Sequence, residues 1–250
     1  MFLIINTYCQ ENKNYIEEEI LRLNSNLRSI NENYFEPEIL KYKIYWEFIY
    51  AGDAEISLNL EDIYDVKLYK ITTKTKSNAS IDILYKVRNQ TESYVDFYGF
   101  YSLKFVKEQN EAGYYSKDYV LFDYENQQWI YLLDNTTGYI NGFVQDVVSS
   151  LYWLRFQNIE VGKKYAVDVW AGKIVYPMII DVLEIKNIKI FDKEYKCFKV
   201  EPKVDVRSFP LFKAKGRLFV YLTVDEKKLP VRLESKVFIG RVFADLVEKK

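Results

Sequence analysis

Apolar residues recur along the first part of the chain with a helical period. Ile16, Ile20, Leu23, Leu27 and Ile30 follow one another at steps of four, three, four and three, which places them in one stripe of a helix. Glu17, Glu18 and Glu19 fall in its first turns, where the helix dipole favours acids, and Arg28 falls near its end. The spacing predicts an amphipathic helix over about 14–31, whose stripe packs on the protein's own sheet or on a partner. From residue 38 the period shortens to that of a strand. Leu40, Tyr42, Ile44, Trp46 and Phe48 alternate with Lys41, Lys43, Tyr45 and Glu47. Beyond Ala51-Gly52-Asp53, the residues Ala54, Ile56, Leu58 and Leu60 alternate with Glu55, Ser57 and Asn59. Two alternating runs about a Gly-Asp pair predict a long antiparallel hairpin with one buried face and its turn at Ala51-Gly52-Asp53.

The alternation continues to the C-terminus. Strands are predicted near 65–76, 81–89, 92–98, 101–108, 114–124 and 128–133, then near 164–170, 174–190, 195–201, 216–224, 229–236 and 238–247. Turn-forming pairs such as Ser77-Asn78, Asn89-Gln90 and Glu125-Asn126 set them apart. The interruption is 143–157, where Val144, Val147, Val148, Leu151 and Leu154 share one broad helical face that is expected to be buried in the curve of the sheet. On that packing Leu151→Ala would cost on the order of 2–5 kcal/mol through cavity formation. Arg155, near the helix end, is expected to bind free carbonyls or a strand carboxylate, and Arg155→Ala would cost roughly 1–3 kcal/mol. Consecutive strand pairing without repeated βαβ units gives the fold class. It is mainly β: a single curved antiparallel meander sheet or open β-barrel, with one interior helix at about 143–157 and the N-terminal amphipathic helix at about 14–31. No Pro/Gly-rich linker divides the chain. Residues 1–36 are therefore read as a tail with its helix, and 37–250 as a single antiparallel β domain.

Composition then narrows the chemistry. None of the 250 residues is a histidine, which removes Ser-His-Asp and Cys-His nucleophiles and every His-ligated metal site. The two cysteines, Cys9 and Cys197, form no C-x-x-C pair, and Cys197 lies in an alternating run that reads as a buried free thiol. There is no Gly-rich phosphate loop and no G-x-S-x-G elbow. No catalytic residue, metal ligand or cofactor is assigned. Lys and Arg number 35 against 36 Asp and Glu, a balance that gives no pull toward nucleic acid. No apolar run is long enough for a transmembrane segment. The opening Met1-Phe2-Leu3-Ile4-Ile5 lacks the basic segment and length of a secretory leader, so a signal peptide is not visible and a cytoplasmic location stays open beside export.

With 23 Tyr, 16 Phe and 4 Trp, aromatic side chains are the residues best placed to line an apolar pocket on a curved sheet. Trp46, Trp129, Tyr152 and Trp153 are the candidate ligand-binding residues, with core packing as the alternative for each. Glu201, between Val200 and Pro202, either closes a strand facing inward or faces solvent. The segment from Arg207 to Arg217 mixes four cations with two phenylalanines, as a binding edge or a solvated connection would. Paired carboxylates would allow glycoside hydrolysis without histidine, given two carboxyls about 5–10 Å apart across one cleft.

Several ordered elements together resemble a bacterial family known as domain of unknown function 3108. They run from Gly52 and Ala54 through Ser77, Asp82 and Tyr85, Glu92-Ser93-Tyr94-Val95-Asp96 and Phe122-Asp123. The most specific piece is Asp146-Val147-Val148-Ser149-Ser150-Leu151-Tyr152-Trp153-Leu154-Arg155. Cys197-Phe198-Lys199-Val200-Glu201-Pro202, Gly216, Asp225, Pro230-Val231, Ser235 and Gly240 follow. The chain departs from the pattern at Asp192-Lys193-Glu194, where a glycine is expected. The resemblance implies an exported or envelope-associated (periplasmic) bacterial protein with an antiparallel β fold, similar in outline to the half-barrel of lipoprotein carriers, and it lends no catalytic residue. The function expected is a non-enzymatic binding module for a lipid or other apolar or amphipathic envelope ligand. The alternatives are a scaffold that binds another envelope protein, with helix 14–31 as its arm, and a carboxylate-based hydrolase.

Overall fold

The computed structural model describes residues 16–21, 24, 34–204, 217–236 and 240–250. Cys9 and the rest of the stretch up to residue 33 lie outside these residues, as does 205–216 with most of the cationic segment. The alternating runs form strands β1 (Glu38–Trp46), β2 (Ile49–Ile63), β3 (Val66–Ser77), β4 (Val87–Asp96), β5 (Ser102–Glu111), β6 (Tyr114–Asp123), β7 (Gln128–Tyr131) and β8 (Thr136–Tyr139). After the short β9 (Gln145–Asp146) come β10 (Lys164–Ala171), β11 (Ile174–Ile190), β12 (Lys193–Val204), β13 (Leu218–Thr223), β14 (Pro230–Lys236) and β15 (Arg241–Lys249). The helical turn α1 (Ala79–Asp82) precedes β4, and helix α2 (Ser149–Phe156) follows β9.

All fifteen strands belong to one sheet, ordered β8-β7-β6-β5-β4-β3-β2-β1-β15-β14-β13-β12-β11-β10-β9. Two meanders are thus joined back to back by the antiparallel β1–β15 ladder. Every pairing is antiparallel except that of β9 with β10. The sheet curls until its β9 margin reaches β5, where Ser102 N–H donates to Val144 C=O (3.0 Å) and Gln145 Nε2 donates to Phe100 C=O (2.6 Å). Among the described residues no ladder closes the circuit, so they form an open barrel. Its seam is filled by side chains: the Trp170 indole of β10 packs on Phe105, Phe122 and Trp129 of the opposite margin.

Several expectations are corrected. The first turn is Glu47-Phe48, with Trp46 opposite Ile49, and Gly52 lies inside β2. Gly52 is needed there for close approach, because a Cβ would stand 2.1 Å from the Lys76 carbonyl oxygen of β3. Of the expected strand 81–89 only 87–89 is strand, as the start of β4, and the rest is the end of α1 and a loop. Asn78 Oδ1 accepts from Ile81 N–H as a helix cap, and Asp82 is held by Arg88. β4 then runs through Asn89-Gln90 without a turn. The expected glycine turn before Cys197 is made by Phe191-Asp192, with Phe191 itself in the left-handed region at φ 51°. Cys197 is a buried free thiol, and burial pushes its pKa up to about 12.

The N-terminal helix packs on the protein itself. Residues 16–21 are helical, Ile20 sits against Leu121 and Leu132, and Glu17 pairs with Lys104 at 2.5 Å. Asn24 replaces a missing strand partner. Its Nδ2 donates to Phe122 C=O (2.6 Å) and its Oδ1 accepts from Tyr124 N–H (3.0 Å), where the β5–β6 ladder has already ended at Leu121. Asn24→Ala is expected to lower stability by about 1–3 kcal/mol, since two buried backbone groups lose their partners. A thermal melt showing no change would mean that the helix does not brace this edge.

Candidate functional site

Helix α2 is shorter than the sequence pattern suggests, and its N-terminus explains why. Asp146 ends β9, and its Oδ1 accepts from Val148 N–H (2.8 Å) and Ser149 N–H (2.9 Å), so the helix starts at Ser149 rather than near residue 143. The other carboxylate oxygen accepts from the Ser93 and Ser102 hydroxyls of β4 and β5. One buried side chain therefore caps the helix and fastens the β9 margin to the far side of the sheet. At the helix C-terminus, Arg155 reaches β1. Its Nη1 stands 2.5 Å from Glu38 Oε1 and its Nε donates to Lys227 C=O, while Lys249 holds the other Glu38 oxygen at 2.9 Å. The expectation of a strand carboxylate for Arg155 is met.

Pinned at both ends, α2 spans the concave face without filling it. Val147 is 44% exposed and Leu151 only half-buried, whereas Val144 belongs to the seam cluster before the helix begins. The expectation that this whole face is buried is corrected for Val147 and Leu151, while Leu154 is buried as expected. Between α2 and strands β10–β14 runs a groove of about 660 Å³. This lies within the range of small-molecule sites. Leu151 and Leu154 form one wall. Val169, Tyr176, Met178 and Ile180 form the floor, and Val200, Val220 and Leu233 the far side.

The groove ends where β12 and β13 part. Their ladder holds only Cys197–Val200 against Val220–Thr223, and beyond it Glu201, Lys203 and Arg217 line the opening. Arg217 grips Glu201 through two parallel contacts, Nε to Oε1 at 2.6 Å and Nη2 to Oε2 at 2.8 Å. On the neighbouring strand Asp181 lies directly opposite Glu201, and Lys203 bridges them at 2.6 Å from Asp181 Oδ2 and 3.5 Å from Glu201 Oε2. Lys164 stands 3.6 Å from Asp181 Oδ1. The Arg217 guanidinium holds the Glu201 carboxyl below its ordinary range, and the Lys203 ammonium does the same for Asp181. Both acids are thus kept charged on one strand face. Neither is poised as the proton donor that a two-carboxylate hydrolase needs.

The four aromatic candidates are not brought together. Trp129 is in the seam cluster, Tyr152 is fully buried against Phe35 and Arg155, and Trp153 is half-buried between α2 and the sheet. Trp46 stands at the exposed β1–β2 tip. None of them lines the groove. Glu201 does, buried rather than solvent-facing, and so does Arg217, the one member of the cationic segment among the described residues. The aliphatic lining was missed because Val, Leu and Ile at strand spacing read as core. Most of these side chains are in fact buried, and it is the space left beside α2, which no local pattern encodes, that they line. Among the described residues no group of three or more Asp, Glu, Cys or His could hold a metal ion, and no helix is long and apolar enough to cross a membrane.

The model of the protein family of unknown function DUF3108 matches residues 41–247. No curated protein is recognisably similar to the chain. Among solved structures, a beta-barrel-like protein of domain of unknown function DUF1849 from Brucella abortus superposes with a TM-score of 0.60. It is 11% identical, and the match covers 89% of this chain and 99% of that one. That likeness concerns the fold alone. A DUF1089 family protein from Pseudomonas aeruginosa gives a TM-score of 0.38 at 10% identity, over 71% of this chain and 87% of its own.

Proposed function

Because the chain belongs to the DUF3108 family, whose members share a sequence pattern and no stated activity, we propose a function from the groove itself. The protein is a non-enzymatic binding module that holds an apolar or amphipathic ligand of the bacterial envelope between α2 and β10–β14. The observation that carries this reading is the open aliphatic groove of about 660 Å³ beneath a helix fixed at both ends. A protein whose barrel served only as a packed core would seat Leu151 and Val147 against the sheet, as buried apolar surface stabilises by roughly 25 cal/mol per Å². The envelope location rests on the family resemblance.

Nile red, a neutral apolar dye, tests it. The wild-type chain is expected to bind the dye, and Leu151→Trp, which puts an indole into the groove, should weaken binding by about tenfold or more, roughly 1.4 kcal/mol. The melting temperature should stay near that of the wild type. Equal affinity in both proteins would place the dye elsewhere and sink the groove reading.

One observation favours the scaffold reading beside it. Phe48, Ile83 and Leu84 are 90%, 83% and 80% exposed, on the β1–β2 turn and the loop after α1. The Asn78 bond to the Tyr50 carbonyl (2.6 Å) ties these two connections side by side. A partner protein seated there would protect both tips from hydrogen exchange, and the groove would be untouched.

A further inference from the structure

The ends of the groove differ, and the difference bears on what kind of molecule enters it. Its walls are mostly apolar, whereas its opening is lined by Glu201, Lys203 and Arg217, with Asp181 and Lys164 next to them on the neighbouring strands. The inner layer is anionic: the Glu201 side chain is 5% exposed and that of Asp181 12%. The outer layer is cationic, with Lys164, Lys203 and Arg217 side chains 71%, 50% and 58% exposed. Among the described residues of this cluster, three cations stand over two acids, and the charged groups that are half or more exposed are ammonium or guanidinium. Arg217 spends two of its five donors on Glu201, and Lys203, shared between Asp181 and Glu201, has a third donor. The buried carboxylates hold both cations in place before anything binds, which lowers the ordering cost of an anion landing on them. A planar guanidinium with donors to spare suits a carboxylate or phosphate.

We propose that the occupant of the groove is a single-chain amphiphile with an anionic head, its tail along Leu151, Met178 and Ile180 and its carboxylate or phosphate on Arg217 and Lys203. The inference rests on the groove reading above and adds the chemistry of the head group to it. A cationic head would meet the exposed ammonium groups, and a neutral one would gain nothing from them.

Four probes with the same tail separate the two claims: dodecanoate, dodecyl phosphate, dodecyl maltoside and dodecyltrimethylammonium, each titrated calorimetrically below its micelle concentration into the full chain. Both anions are expected to bind about tenfold or more tighter than the maltoside, and the cation weakest. In the Arg217→Gln/Lys203→Gln double variant the anions should fall to the level of the maltoside, whose own affinity should not change. Both substituted side chains are at least half exposed, but they pair with the buried Glu201 and Asp181, so a thermal melt confirms that the double variant is folded before its affinities are read. Equal binding of all four probes would overturn the head-group assignment and leave the groove reading standing. Anion preference that survives in the double variant would overturn the role of Arg217 and Lys203. No binding of any probe to the wild type would overturn both readings.

Discussion

Arg155→Ala is expected to destabilise the protein by about 3–5 kcal/mol, read from the midpoint of a urea melt. The Arg155 and Glu38 side chains are 2% and 6% exposed, so the substitution leaves a carboxylate buried with Lys249 as its remaining cation among the described residues. It also removes the guanidinium from the rings of Phe35 and Tyr152, 4.8 and 4.7 Å away. The loss should exceed that of Leu151→Ala, the reverse of the order suggested by the helical pattern, because Leu151 borders open space. Removing both charges in Arg155→Met/Glu38→Leu should restore most of the stability. Acid gives a second signature. Burial pushes the Glu38 carboxyl up, but the bonds from Arg155 and Lys249 outweigh it and hold the pKa below the ordinary 4.5. A carboxyl depressed in the folded state contributes stability above its unfolded pKa and loses it as pH falls through the folded value. The alanine variant lacks the main lowering partner, so its deficit should shrink as pH is lowered from about 7 towards the ordinary carboxylate range.

Asp146→Ala is expected to cost about 2–4 kcal/mol, combining a lost helix cap with the buried Ser93 hydroxyl losing its acceptor. The effect should be local as well as global. Native-state hydrogen exchange should show the β9 margin and the first turn of α2 opening ahead of β1–β4. Asp146→Asn keeps an oxygen for the Val148 and Ser149 amides and should retain more stability than the alanine. Burial pushes the Asp146 carboxyl above its ordinary value, against the opposing bonds from Ser93, Ser149, Ser102 and Val148. The sign is therefore opposite to that of Glu38. Between its unfolded and folded pKa the folded state binds more protons, so this group adds stability as pH falls through the folded value and loses it as pH rises. Relative to Asp146→Asn, the wild type should gain as the solution is acidified.

Period alone carried most of the architecture. The change from helical to strand spacing at residue 38 marks where β1 begins, and the single interior helix stands out from the strands around it. Turns were read less well, for a physical reason. With nine glycines in the chain, left-handed turn positions fall to Glu47, Ala112, Lys173 and Phe191, residue types that carry no turn signal. The glycine that looked like a turn, Gly52, serves a close approach between strands. The start of α2 was misplaced because Val144 and Val147 continue the apolar spacing across Asp146, whose capping bonds stop the helix. For the site, Glu201 and Arg217 were visible as unusual residues, and Arg155 as a helix-to-sheet tie. Their joint position at one end of a groove depends on the parting of β12 and β13, a property of register that no single segment holds. The aromatic candidates were drawn by size, and size places Trp129 and Tyr152 in the core, where large apolar side chains bury most surface.

The claim that the barrel holds a ligand in its groove is tested most directly by native mass spectrometry of the protein purified from the organism that encodes it. The expected result is an added mass over the denatured polypeptide, released by organic extraction and absent when Leu151→Trp is purified in the same way. A wild-type mass equal to that of the chain alone, unchanged by extraction and by the substitution, would contradict the account.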